Sequence, residues 1–225
     1  MIDLAQLDAL RAYDTPTLAN ALDGLVDRPA NTGYTRPPVQ SVLPDLPPMV
    51  GFAVTVTIRS ETPFPHPDAK ANAMLPLYRA VAAVDGPKVV VVQDLDGGSG
   101  CLWGEVNATI CSAMGCEGVV TDGLVRDLPD VAALGFRLLA RGVGVARAWV
   151  AVASTGVPVT VGGASFHPGD VVHADRHGAL VVPAEAIAAL PAAAAAVMDR
   201  ERRLLDWVRS DDFAPDQIPA RRAQH

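Results

Sequence analysis

The residue types best suited to chemistry in this 225-residue chain cluster in one stretch, residues 101–127. Glu105 precedes an adjacent arginine–aspartate pair, Arg126-Asp127, by 21 positions to the arginine. A guanidinium fork binds a carboxylate or a developing enolate oxygen through paired hydrogen bonds. One or two carboxylates completed by water suit Mg2+ or Mn2+, which prefer hard oxygen ligands. The combination points to metal-assisted chemistry on a substrate that carries a carboxylate or develops an enolate oxygen. Plainer roles stay open for each part. Glu105 in the first turn of a helix complements the macrodipole, Arg126-Asp127 opens a surface helix, and the glycine-rich residues 97–100 form a simple turn.

Rival chemistries find little support. No GxGxxG and no Gly-Lys-Ser/Thr is present, so neither a dinucleotide fingerprint nor a Walker loop is available. No serine sits in a GxSxG elbow and no cysteine has a base nearby in sequence. His66, His167, His173 and His177 form no HExxH motif, and structural roles are expected of them. The only lysines are Lys70 and Lys88. Lys88 opens a strand, the wrong end for a ligand crevice, which favours a metal over an imine.

The elements that position these residues follow from periodicity. Residues 4–27 read as helix with a cap and restart at Asp14-Thr15-Pro16, and residues 28–50 as a proline-rich wrapping connection. Strands are expected at 51–58, 89–92, 118–121 and 137–140, with helices at 68–84, 105–114 and 128–134 between them. That alternation predicts a mostly parallel, helix-covered sheet. Residues 97–104 and 121–127 then both leave C-terminal strand ends, where open α/β sheets bind ligands. If those strands are neighbours, Glu105, Arg126 and Asp127 meet in one pocket. Beyond 150, short strands at 157–161, 164–166, 171–174 and 179–182 are separated by tight turns, which predicts antiparallel pairing. A helix from 184 to about 209, interrupted at Pro191, and a polar, frayed tail at 211–225 complete a single α/β domain over 1–210.

Bulk properties narrow the class. Half the residues are hydrophobic and 19% are charged, the profile of a packed domain. A net charge of −7, with no lysine/arginine run beyond two, argues against nucleic-acid binding. Three cysteines in no zinc spacing read as reduced thiols, and no secretory leader or bilayer-spanning run is evident. A cytoplasmic protein with no membrane partner is expected.

On these residues the chain resembles the RraA-like family, which includes class II pyruvate aldolases. The likeness runs through residues 51–56, Trp103-Gly104-Glu105, the segment Gly118-Val119-Val120-Thr121-Asp122-Gly123-Leu124-Val125-Arg126-Asp127, Ala140-Arg141-Gly142, residues 157–163 and residues 168–175. The resemblance implies an α/β/β/α sandwich with mixed sheets, assembled as a homotrimer or homohexamer with sites between subunits. It implies that Arg126 contacts substrate and stabilises an enolate oxygen, that Asp127 binds Mg2+ or Mn2+, and that Glu105 holds metal-bound water. Amides of Leu102, Trp103 and Gly104 would receive a pyruvyl group, and Glu201 of a neighbouring subunit is a looser candidate for the same site. The implied activity is cleavage of a 4-hydroxy-2-oxo dicarboxylic acid or decarboxylation of oxaloacetate. The same family contains protein-binding regulators of ribonuclease E, which lack an aspartate after the arginine; Asp127 favours the enzyme. A lyase acting on another keto or hydroxy acid is the remaining alternative.

Overall fold

The computed structural model describes residues 2–98, 100–147 and 149–223. Ser99 in the expected glycine-rich turn, and Gln224 and His225 in the expected tail, lie outside the described residues. The chain opens with helices α1 (Leu4–Leu10) and α2 (Thr15–Leu22), the short strand β1 (Gln40–Ser41) and the long strand β2 (Met49–Arg59). Helices α3 (Pro67–Asn72) and α4 (Leu75–Ala82) precede β3 (Lys88–Asp94), β4 (Cys101–Trp103) and α5 (Glu105–Ala113). Next come β5 (Cys116–Thr121), β6 (Leu124–Val125), α6 (Leu128–Ala133), β7 (Arg137–Ala140) and β8 (Gly142–Val143). The C-terminal part runs β9 (Ala151–Thr155), β10 (Val159–Val161), β11 (Ala164–Phe166), β12 (Val171–Asp175), β13 (Gly178–Val182), α7 (Leu190–Val208) and α8 (Ile218–Ala223).

The main sheet has the order β1-β7-β5-β3-β2-β12-β13, with β9 also on β2. β7, β5, β3 and β2 are parallel, whereas β12 and β13 are antiparallel, as the turn spacing requires. Residues 89–92 of β3 are fully enclosed. Val90 and Val92 face a core shared with α4, α5 and α6, and Val89 and Val91 face a second core shared with the β10–β11 hairpin. That double burial explains the unbroken valine run, each side chain contributing about 1.5–3 kcal/mol. A third core joins α1, α2 and α7 to β12 and β13. The sheet therefore curls around the hairpin core and carries helices on both outer sides, giving the helix–sheet–sheet–helix layering of a mixed α/β sandwich.

Some expected elements change under tertiary demands. The helix expected over 68–84 divides into α3 and α4, because Pro76 lacks the amide a continuous helix needs and occupies the first turn of α4 instead. Pro191 likewise starts α7 rather than interrupting it. The loop expected over 97–104 contains β4, part of a separate three-stranded parallel sheet ordered β4-β6-β8. The tail expected to fray turns back at Pro215–Gln217 into α8, where Arg221 lies 5.1 Å over the Trp207 ring. No described helix is long and apolar enough to cross a membrane.

His173 on β12 is fully buried, with its Nδ1 3.0 Å from Thr15 Oγ1. Burial pushes its pKa down to about 4, outweighing the Asp175 carboxylate and the carbonyls of Tyr13 and Leu10, which favour the charged form. In the unfolded chain this imidazole takes up a proton below about 6.5, and in the folded protein only below about 4. Stability should thus be unaffected above pH 7 and fall by about 3 kcal/mol as pH drops from 6.5 to 4. Urea unfolding across that window checks this, and His173→Gln should flatten the slope; an equally steep slope in that variant contradicts the assignment.

Candidate functional site

The site rests on a repeated connection. β3, β5 and β7 stand side by side in the main sheet, and after short loops they lead into β4, β6 and β8, which stand side by side in the small one. Parallel pairing of β4 with β6 aligns Cys101 with Leu124 and Trp103 with Val125. The Arg126 N–H donates to the Trp103 carbonyl at 2.9 Å. Two segments 21 residues apart from Glu105 to Arg126 are thereby forced alongside one another.

Beyond that pairing the chains turn outward. Asp127 adopts left-handed backbone angles (φ 57°, ψ 41°) at the start of α6, the single non-glycine residue with positive φ among the described residues. Aspartate tolerates this region better than most side chains, yet the conformation costs roughly 1–2 kcal/mol. The strain aims the carboxylate back at the first turn of α5, where Oδ2 accepts a hydrogen bond from the Glu105 N–H at 3.1 Å. Arg126 Nε lies 3.6 Å from the same oxygen. Gly104 supplies the clearance: a Cβ there would collide with Asp127 Oδ2 and crowd Arg126 Cγ at 3.1 Å.

Leu102, Gly104, Arg126 and Asp127 line one cleft of about 130 Å³, joined by Asn107 and Arg147. Trp103 belongs to the wall in a different sense. Its ring is fully buried and stacks on Phe136 at 5.8 Å, so it stands behind the cleft lining and reaches the site through its carbonyl, which accepts from the Arg126 N–H. Glu105 contributes its N–H, while its side chain is exposed and outside the cleft lining. Glu201 lies on α7 and lines another concavity with Asn20, Arg200 and Arg222.

The positions missed by sequence reading are Asn107 and Arg147. Asn107 Nδ2 donates to the Leu102 carbonyl at 2.8 Å, and the Tyr78 hydroxyl donates to Asn107 Oδ1 at 2.7 Å. This relay pins the Leu102 peptide. Asn107 sits three positions after Gly104, on the face of α5 that returns toward the helix start, and that spacing was its available signal. Arg147 had none beyond its charge. A second hollow of about 350 Å³, which includes Lys70 and Tyr78, continues the cleft through Val106, Asn107 and Arg147. Cys101 also borders the cleft, but burial pushes its thiol pKa up, which disfavours a thiolate nucleophile.

Among the described residues, no three His, Cys, Asp or Glu side chains gather to form a complete metal cage. The donor set nonetheless fits a hard divalent ion, since Mg2+ keeps several waters and takes one or two carboxylates plus substrate oxygens. Asp127 offers such a carboxylate, with Oδ2 engaged by Glu105 N–H and its side chain partly exposed.

The fold and site define an α/β protein that presents a carboxylate and a guanidinium side by side at parallel strand ends. The chain belongs to the RraA-like family, whose family model (Aldolase/RraA) matches residues 15–181. A Halalkalibacterium halodurans protein named "Putative 4-hydroxy-4-methyl-2-oxoglutarate aldolase" is 26% identical over 174 residues, covering 77% of this chain and 74% of that one. The crystal structure of an uncharacterized protein from Pseudomonas syringae pv. tomato superposes with a TM-score of 0.73 at 26% identity, covering 100% of this chain and 95% of its own. Streptomyces coelicolor RraAS2, described as an unusual member of the RNase ES inhibitor RraA family, shares the fold with a TM-score of 0.67 at 24% identity, over 92% and 98% of the two chains.

The left-handed geometry of Asp127 makes a stability prediction. Asp127→Asn, which tolerates the same backbone, should unfold within ~0.5 kcal/mol of the native protein. Asp127→Val, β-branched, should lose about 1–2 kcal/mol. Equal urea midpoints for the two variants would count against the geometry.

Proposed function

We propose that this protein is a divalent-metal-dependent lyase that cleaves a 4-hydroxy-2-oxo dicarboxylic acid to release pyruvate. The observation that carries the reading is the Arg126-Asp127 pair held against the start of α5, beside the pinned Leu102 peptide. Family membership and the names of relatives support the same direction.

A divalent ion at Asp127 would supply Lewis acidity toward the keto oxygen and carboxylate of the pyruvyl group. The protein's own groups do the rest. Arg126 faces the oxygen on which negative charge develops, and its fork stabilises the enolate more than the ketone. A water organised near Glu105 takes the proton of the C4 hydroxyl. The C3–C4 bond then breaks: its electron pair enters the enolate, C4 becomes a carbonyl, and protonation at C3 yields pyruvate. Oxaloacetate would lose CO2 through the same enolate. Lys70 and Arg147, in the hollow that continues the cleft, are placed for a second carboxylate, which favours a dicarboxylic substrate.

The Arg126 and Asp127 side chains stay 39% and 38% exposed, so the cleft opens to solvent. A homotrimer or homohexamer would close it, with Glu201 of a neighbouring copy as the added acid. Three unpaired, buried cysteines agree with residence in the reducing cytoplasm.

Pyruvate release from a panel of 2-keto acids, with Mg2+ or Mn2+ and with chelator, tests the reading. Turnover should vanish with chelator and return with metal, and Arg126→Ala should lower it by about 10²–10³ while the fold is kept. A chelator-insensitive rate, or a folded Arg126→Ala protein near the native rate, contradicts the mechanism. Capture of ribonuclease E with no lyase activity would favour the regulator instead.

A further inference from the structure

A concavity outside the cleft lies between α2, the proline-rich connection and the turn from β12 to β13. It is a cavity of about 300 Å³ and shares no lining residue with the Arg126–Asp127 cleft. Its walls are fixed by main-chain bonds. The Val181 N–H donates to the Gly33 carbonyl at 2.8 Å, and Tyr34 forms a β-bridge with Leu180. The Thr35 N–H donates to the Ala179 carbonyl at 2.8 Å, and the Ala179 N–H returns a bond to Thr35 Oγ1 at 2.9 Å. Residues 33–35 thus extend the edge of β13 as a short extra strand, and the hollow is preformed. Preformed cavities of this size are the usual setting for small ligands.

The lining combines an apolar floor, from Pro16, Ala19, Ala30 and Ala179, with one under-used cation. Arg28 is half-buried and, among the described residues, makes only two long bonds, from Nη1 to the Thr32 carbonyl at 3.3 Å and from Nη2 to the Ala19 carbonyl at 3.4 Å. Its Nε is buried without a partner, and no carboxylate of the described residues forms an ion pair with it. A Cβ at Gly33, where φ is 82°, would stand 2.7 Å from Nη1, so the glycine makes room for the guanidinium. A desolvated arginine with unfilled donors is costly unless an anion completes it. His177, on the rim, has Nδ1 tied to Asp175 at 3.1 Å, which turns Nε2 away from that carboxylate and leaves it for a second polar contact.

We propose that this cavity is a second binding site, for a small monocarboxylate with a compact apolar body. The carboxylate matches the planar fork of Arg28, and the alanine and proline floor takes the apolar part. A single arginine with Asp23 at the rim is too little positive charge for a phosphate dianion. The assignment stands apart from the lyase reading, because it uses none of the same residues.

The test is titration of benzoate into metal-free Arg126→Met protein, which lacks the guanidinium of the other cleft, followed by saturation-transfer NMR and by the rise in Tm. Binding in the millimolar range or tighter is expected. It should weaken at least tenfold when Arg28→Met is added, and equally when Ala19→Phe fills the floor; the second variant reads the same cavity should the first lose its fold. Inorganic phosphate should fail to displace benzoate. Absence of benzoate binding, binding indifferent to both substitutions, or displacement by equimolar phosphate would overturn the proposal.

Discussion

One backbone pairing governs the arrangement: the parallel register of β4 with β6, closed by the Arg126 N–H on the Trp103 carbonyl at 2.9 Å. Strand register is all-or-none, since a slip of one residue sends every side chain to the opposite face. Here the register is secured by its neighbours. β4 and β6 issue from β3 and β5, which are themselves paired from Lys88 with Cys116 to Val92 with Thr121. Trp103 anchors the far end by stacking on Phe136 inside the core shared with α5 and α6. An isolated two- or three-residue strand would not hold a register, but one continued from a buried sheet and ended by a buried indole does.

The same logic explains how an acidic protein assembles a cationic recess. The net charge of −7 is spread over the surface, while Arg126, Arg147 and Lys70 are gathered along the cleft and its continuation. Local placement, not overall sign, decides which ligands approach closely, because bulk charges farther than ~8–10 Å are largely screened at physiological salt. Elsewhere the protein spends its arginines on architecture. Arg11 pairs with Glu117 and bonds the Val50 carbonyl, tying α1 to the start of the sheet. Lys88 donates from the N-terminal end of β3 to the Met114 carbonyl at 2.6 Å, as its position at a strand start implied.

Much of this was legible in the residue order. Valine runs announced the buried parallel strands, tight turns the antiparallel end, and Asp14 the cap between α1 and α2, where its side chain accepts from the Thr17 N–H at 2.8 Å. His66 also proved structural, capping α3 at the Ala69 N–H. The convergence of residues 102–104 with Arg126 and Asp127 was readable as well, because adjacent parallel strands end at the same edge. What escaped depends on three dimensions. The strands of the small sheet are two or three residues long and carry no periodicity. Glu105 shared the right segment, yet a first-turn residue can offer either its amide or its carboxylate, and only the turn of Asp127 decides that the amide is used. Arg28 looked like one more surface cation until β13 and residues 33–35 enclosed it.

Shared folds carry divergent functions, so the weight falls on the site itself. The backbone strain at Asp127 is informative here. An aspartate used only to start α6 would settle in the extended conformation of an N-cap and bond amides of its own helix; Asp127 makes no such side-chain cap. Instead it occupies a left-handed conformation and gives Oδ2 to the first turn of a different helix, with Gly104 cleared to admit it. Strain of this kind persists only where the surroundings over-determine it, and it concentrates where geometry serves a ligand. A protein-docking surface needs no carboxylate held at that cost inside a recess. Under the proposed lyase reading a chelating keto acid would, since its two oxygens and the Asp127 carboxylate would meet one cation while the neighbouring guanidinium received the charge that bond cleavage creates.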